Sequence, residues 1–298
     1  MTRAYVDRPV TDIAGATSAA NEAAERWHLA PPTLLRKGMN AIFRSGDAVL
    51  RVATPNADAR ASIRLARVLA AAGIAVPTSV RDSAIEVGDF AVTAWEHVEA
   101  VDAAVDWVEL GAMVRRVHEL DVAALPLGLP LPSPSEFPWW HHEVLIAESV
   151  DEIDATAAAG LRAAVDRHVG WDDFVGSDAV VVCHGDVHPG NVIMSERGPV
   201  LLDWDLLCSA PKAWDHAPLM TWADRWGGSP ELYAQFADGY GWSAEGDRYG
   251  EAFAELRLVA ATLMRWKAAR TDPAALPEAE RRLAFWRGDP DAPAWQAQ

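Results

Sequence analysis

The rhythm of hydrophobic and polar positions changes about a third of the way along the chain. Leu34–Lys37, Ala41–Arg44 and Ala48–Val52 are short strand-like runs separated by Gly38 and by the Ser45-Gly46-Asp47 turn, and they predict an antiparallel meander. Asn56–Ala72 interrupts it with Ile63, Leu65, Ala66, Leu69 and Ala70 at helical spacing and stops at Gly73. Pro77 then opens two further strand-like runs, Ala84–Val87 and Phe90–Trp95. From Ala103 the pattern is mostly helical. Trp107, Leu110, Met113, Val114, Val117 and Leu120 fall three and four apart, which predicts an amphipathic helix over Ala104–Leu120. Leu125–Pro138 carries five prolines and reads as a surface connection. A helix over Ala155–Val169 and strands at Ala179–Cys183, Asn191–Ser195 and Val200–Asp203 follow, before a helical, tryptophan-rich remainder. The expected class is α+β: a small antiparallel-sheet unit with one helix over residues 1–97 and a larger, mainly helical unit over residues 98–298.

At 298 residues and 50% hydrophobic, the chain is large enough for two packed lobes. No stretch approaches the roughly 20 apolar residues of a membrane helix, and the opening MTRAYVDRPVTD lacks a signal-peptide layout, so a cytoplasmic protein without membrane contact is expected. Cys183 and Cys208 lie in apolar runs and read as reduced, buried thiols. Charge is uneven: residues 1–97 carry 11 Lys and Arg against 10 Asp and Glu, residues 98–298 carry 15 against 33. That balance argues against nucleic acid and favours a cationic small-molecule partner, although acidic surface also serves solubility.

The most informative segment is His184-Gly-Asp-Val-His-Pro-Gly-Asn191, between strand-like runs, followed by Leu202-Asp-Trp-Asp205. Phosphoryl transfer requires a carboxylate that accepts the proton of an attacking hydroxyl, and oxygen ligands that hold Mg²⁺ against the phosphates. Asp186, Asn191 and Asp203 supply those groups, with Asp186 and Asn191 at the five-residue interval of a kinase catalytic loop. His184 and His188 are spaced like zinc ligands on a helix, but Gly185, Pro189 and Gly190 make a helix there implausible.

These motifs resemble the signature of the aminoglycoside phosphotransferase and choline kinase superfamily, over roughly Thr33 to Tyr240. The resemblance implies a bilobal protein-kinase-like fold using ATP and Mg²⁺, with Asp186 as catalytic base, Asn191 and Asp203 as metal ligands, and His184, His188 and Asp215 shaping the loop. It implies that Gly38, Asn40 and Arg51 cover the phosphates, that Ala94–Val98, including Trp95, Glu96 and Val98, meets the adenine, and that Asp205 approaches the substrate. Two departures stand out. The strand cation is Arg51 where a lysine is usual, and the following helix offers Ser62 where its glutamate partner is expected. Asp205, Asp224, Asp238, Glu251 and Glu255 are candidate carboxylates for an aminoglycoside-like cation; Trp139, Trp140, Trp204, Trp222 and Trp226 could instead cage a choline-like one. Sugars and macrolides also stay open as acceptors. The alternative to an enzyme is a catalytically silent nucleotide-binding module, against which the joint retention of Asp186, Asn191 and Asp203 speaks.

Overall fold

The structure, a computed structural model, describes residues 2–177 and 179–296. Asp12 caps the first helix, α1 (Ile13–Trp27), by accepting the Gly15 N–H at 2.8 Å. Strands β1 (Thr33–Arg36), β2 (Ala41–Ser45) and β3 (Ala48–Ala53) follow; then come α2 (Arg60–Ala71), β4 (Ile85–Val87) and β5 (Phe90–Glu96). The five strands form one antiparallel sheet in the order β1-β2-β3-β5-β4. Period-two alternation gives this sheet two different faces. Ala41, Phe43, Leu50 and Val52 turn inward onto α1, while Ile42, Val49 and Arg51 line a cavity on the other side.

Helix α1 corrects the expectation of a single helix beside this sheet. Its buried face is built from Ala16, Ala19, Ala20, Ala23 and Ala24, which bring little hydrophobicity but allow close approach to the strands. The other helix starts at Arg60, four residues later than its periodicity suggested, and sends Leu65 and Leu69 away from the sheet into the core of the helical part.

That helical part begins with α3 (Trp107–His118) and continues through α4 (His142–Ser149) and α5 (Ala155–Arg167) to the paired strands β6 (Val181–Cys183), β7 (Val192–Ser195), β8 (Gly198–Leu201) and β9 (Cys208–Ala210). Pairing is antiparallel, β6 with β9 and β7 with β8. Helices α6 (Ala213–Met220), α7 (Trp222–Trp226), α8 (Leu232–Tyr240), α9 (Arg248–Ala269) and α10 (Leu276–Trp286) complete the chain. Helices α3 and α8 cross at two glycines: a Cβ at Gly111 would lie 2.0 Å from the Phe236 carbonyl oxygen and one at Gly239 would lie 1.8 Å from that of Val108. Strand β9 was not expected, and the strand expected to run to Asp203 ends at Leu201. The proline-rich segment is only partly a surface connection, because Phe137 is buried beside Trp140, Trp214 and Phe253. Proline forbids the helix there without forbidding burial. No helix among the described residues is long and apolar enough to cross a membrane.

Two histidines in the helical core set an acid limit. Burial pulls His142 from 6.5 down to about 4 and His216 down to about 3. The unfolded chain therefore takes up protons below pH 6.5 that the folded chain refuses, so this stability is complete above 6.5 and is lost as pH falls. Near pH 5 the loss is about 2 kcal/mol per histidine. Thermal melts should fall from pH 7 to pH 5, and His142→Gln, which keeps a donor for the Leu256 carbonyl, should flatten part of that slope.

Candidate active site

The β6–β7 loop carries Asp186 and is held from below by one carboxylate. Asp215, at the start of α6 and fully buried, accepts the N–H groups of His184 and Gly185 at 2.8 Å each and lies 3.0 Å from His118 Nε2. Burial would raise the Asp215 carboxyl, but His118 and the loop N–H groups hold it below the usual carboxylate range. Gly185 has φ +96°, and a Cβ there would meet the Leu206 carbonyl oxygen at 2.0 Å, so the loop cannot turn with any other residue. His184 is buried; its Nδ1 accepts the Asp186 N–H at 3.2 Å, so its Nε2–H donates to the Leu202 carbonyl at 2.8 Å. The ring is therefore neutral, which agrees with the downward pull of burial on its pKa. His188 uses Nδ1 to accept the Gly190 N–H at 3.0 Å and brings Nε2 within 3.4 Å of Asp186.

Asp186 stands among donors. Asn191 Nδ2 reaches the Asp186 backbone oxygen at 2.9 Å and its carboxylate at 3.3 Å, and Arg257 Nη1 from α9 lies 3.5 Å from Oδ1. Burial opposes the charge, yet His188 and Arg257 outweigh it and hold the carboxyl well below its ordinary range. Arg257 was not singled out in the sequence. It comes 71 positions after Asp186, on a helix whose neighbouring residues Leu256 and Leu258 read simply as core, and it is fixed by a 2.7 Å bond to the Gly185 carbonyl and by the Trp214 ring 4.4 Å away.

Asp203 follows β8 with φ +61°, an uncommon conformation for a residue with a side chain. Its carboxyl is pushed up to about 6 by burial and by the nearby Asp205 and Asp186 charges. Asp205 is buried and turns toward the sheet, where one oxygen accepts from Arg51 and the other accepts from Asn40 Nδ2 at 2.8 Å. Asp205 thus stands in for the carboxylate that α2 lacks, and it faces the strand cation where a substrate contact was expected. The Tyr5 ring, 5.8 Å from the Arg51 guanidinium, covers it from the N-terminal segment. Asp205→Ala would leave Arg51, 15% exposed, without its carboxylate, so stability should fall by roughly 3 kcal/mol. A thermal melt that does not move would remove Asp205 from this role.

Two cavities flank these residues. One, of about 370 Å³, is lined by Asn40, Arg51, Trp95, Glu96, Val98, Asp203 and Asp205. Gly38 is outside that lining; a Cβ there would meet nothing within 4 Å, so no steric demand for glycine exists. In the connector, the N–H groups of Glu96 and His97 already donate to Thr78 and Asp47 carbonyls. The other cavity, of about 460 Å³, is lined by Asp186, His188, Trp139, Trp222, Trp226 and Arg257 among others. None of Asp205, Asp224, Asp238, Glu251 and Glu255 lines it, and Glu255 is occupied by Arg167 and by His168 at 2.7 Å. Trp140 is in the core, while Trp204 lines the smaller cavity and packs on His184.

The sequence model of the phosphotransferase enzyme family (APH) matches residues 40–258. No curated protein matches the chain. Among solved structures it is similar to a spectinomycin phosphotransferase in complex with ADP and spectinomycin, at 18% identity and TM-score 0.63 over 91% of this chain and 93% of that one. It is also similar to aminoglycoside 2'-phosphotransferase-IIIa in its GDP complex, at 15% identity and TM-score 0.66 over 94% and 99%. A choline/ethanolamine kinase family protein from Mesorhizobium loti matches at 18% identity and TM-score 0.61 over 95% of each chain. Likeness at this identity speaks for the fold, which is the two-part kinase-like α+β arrangement.

Proposed function

Because the chain belongs to the phosphotransferase enzyme family, we propose that it transfers the γ-phosphate of ATP, with Mg²⁺, to a hydroxyl of a small molecule. The observation that carries this reading is the position of the β6–β7 loop. Asp186 borders the larger cavity while Asp203, Arg51 and Asn40 border the smaller, so a hydroxyl acceptor and a nucleotide can meet across one carboxylate. Held ionised by Arg257 and His188, Asp186 is suited to orienting the hydroxyl as a hydrogen-bond acceptor more than to pulling its proton early.

The donor set fits a hard divalent cation. Asn191 spends its Nδ2 on Asp186, which leaves its amide oxygen as the available ligand, and Asp203 is a half-buried carboxylate beside two other acids. Bound there, Mg²⁺ would neutralise charge on the phosphate oxygens. Arg51 is a phosphate grip held in place by Asp205, and Asn40 Oδ1 is buried without a partner next to it. The division into lobes at about residue 97 follows the same reading, with the sheet serving the nucleotide and the helices the acceptor.

Turnover of ATP with a panel of hydroxylated compounds tests the enzyme reading; no turnover with any of them would favour the silent module. Asp203→Ala tests the metal. Its ADP affinity in Mg²⁺ should fall about tenfold or more, with little change in EDTA. Calorimetry that finds equal affinity in Mg²⁺ for parent and variant would remove Asp203 as a ligand.

A further inference from the structure

Residues 2–10 form neither helix nor strand, yet they are fastened to both parts of the molecule. The Thr2 N–H donates to Glu136 Oε1 at 2.6 Å, and Ala4 joins the buried cluster of Phe137 and Trp140 in the helical part. Tyr5 and Val6 pack with Ala53 of β3 and Ala61 of α2, and Val10 joins the core between α1 and the sheet. Asn56 pins the middle of this strap. Its N–H donates to the Tyr5 carbonyl at 2.8 Å and its Nδ2 donates to the Ala4 carbonyl at 2.9 Å.

Two of the strap's contacts fall on the groups assigned to the phosphates. The Val10 N–H donates to the Gly38 carbonyl at 3.1 Å, so the loop that leads to Asn40 is tied to the strap. Tyr5 lines the smaller cavity, with its ring centroid 5.8 Å from the Arg51 guanidinium and its hydroxyl donating to the Ala59 carbonyl at 3.0 Å. The ring thus spans from the strand cation to the start of α2, the helix that offers Ser62 in place of a glutamate.

Arg51 needs more than its carboxylate. One Asp205 oxygen fixes an edge of the guanidinium but does nothing to cover its flat face. An aromatic ring within about 6 Å of the cation supplies that cover, adds cation–π attraction and excludes water. In drier surroundings the N–H groups not spent on Asp205 attract phosphate oxygens more strongly.

We propose that Tyr5 is a positioning residue of the nucleotide site: its ring keeps the Arg51 guanidinium in the orientation that grips phosphate, and the strap of residues 2–10 keeps the ring in place. The assignment rests on the phosphotransferase reading, in which Arg51 meets the phosphates.

Three variants of the full chain separate this role from simple packing. Tyr5→Phe keeps the ring and loses the bond to Ala59, whereas Tyr5→Leu keeps apolar bulk and loses the ring. Asn56→Ala, at a position outside the cavity lining, loosens the strap and leaves Tyr5 itself intact. Calorimetry with ADP and with adenosine, both in Mg²⁺, reads the phosphates apart from the base. The parent should bind ADP about tenfold or more tighter than adenosine. Tyr5→Leu should weaken ADP about five- to tenfold and leave adenosine within about twofold, while Tyr5→Phe stays within about twofold for both. Asn56→Ala should weaken ADP about threefold or more, again without moving adenosine. In turnover the loss should appear in KM for ATP more than in kcat.

Tyr5→Leu binding ADP as the parent does, Tyr5→Phe as weak as Tyr5→Leu, or equal losses for ADP and adenosine would overturn the role of the ring and leave the nucleotide site standing. Asn56→Ala indistinguishable from the parent would overturn the strap. Melting temperatures report folding, and if Tyr5→Leu does not fold, the Asn56→Ala comparison decides. A parent that binds ADP no tighter than adenosine would sink the phosphate reading itself, and the proposal with it.

Discussion

Asp186→Asn should lower kcat by about 10²–10⁴-fold while MgATP affinity stays within about threefold of the parent. Asparagine keeps the size of the side chain and can still face Asn191 and Arg257, so geometry is retained while the charge proposed to orient the hydroxyl is lost. Two measurements separate this from structural damage. Nucleotide titration should be near parental, because Asp186 borders the proposed acceptor cavity and not the one lined by Arg51 and Asp203. The melt should shift only modestly, since the side chain is about a third exposed at 33%. Full activity in Asp186→Asn would remove it as the residue that positions the hydroxyl, and the neighbouring His188 would then be the group to test.

Asp215→Ala should have the largest effect on stability of any single change in the site, a loss of about 3–5 kcal/mol. The carboxylate accepts two loop N–H groups and approaches His118, whose other nitrogen lies 2.8 Å from the Tyr240 hydroxyl. Truncation strands those donors inside a site with no exposure. The carboxylate is also what sets the turn at His184 and Gly185 that presents Asp186, so activity should disappear in the fraction that remains folded. Asp215→Asn, which keeps one acceptor oxygen, should recover part of the stability and little of the activity. Chemical denaturation of the three proteins orders them, and an alanine variant as stable as the parent would show that the loop is held elsewhere.

The site was legible in the sequence where its chemistry is local. Asp186, Asn191 and Asp203 lie within 18 positions, and the short loop forces them together whatever the rest of the chain does. The strands of the sheet were legible because their alternation is what a half-buried sheet requires, within a residue or two at each end. Contacts that bridge distant positions were not. The bond from Arg51 to Asp205 spans 154 positions, and the absence of a glutamate near Ser62 showed only that a partner had to come from somewhere. Helix α1 escaped for a different reason, since an alanine stripe has periodicity but almost no hydrophobic contrast, although Asp12 in the capping position was a usable signal.

The bond between Arg51 and Asp205 also changes what α2 can do. In protein kinases the ion pair between strand and helix makes the helix a switch, since swinging it out disarms the strand cation. Here α2 owes the strand nothing electrostatically: Ser62 holds the Ala59 carbonyl at 3.1 Å, and Leu65 and Leu69 anchor the helix in the lower core. The cation is tethered instead to the segment that follows Asp203, two residues beyond the proposed metal ligand. Displacing α2 would therefore leave the Arg51–Asp205 pair without a broken helix contact, and whatever moves the Trp204–Leu206 turn would shift the proposed metal site and the proposed phosphate grip as a single throw.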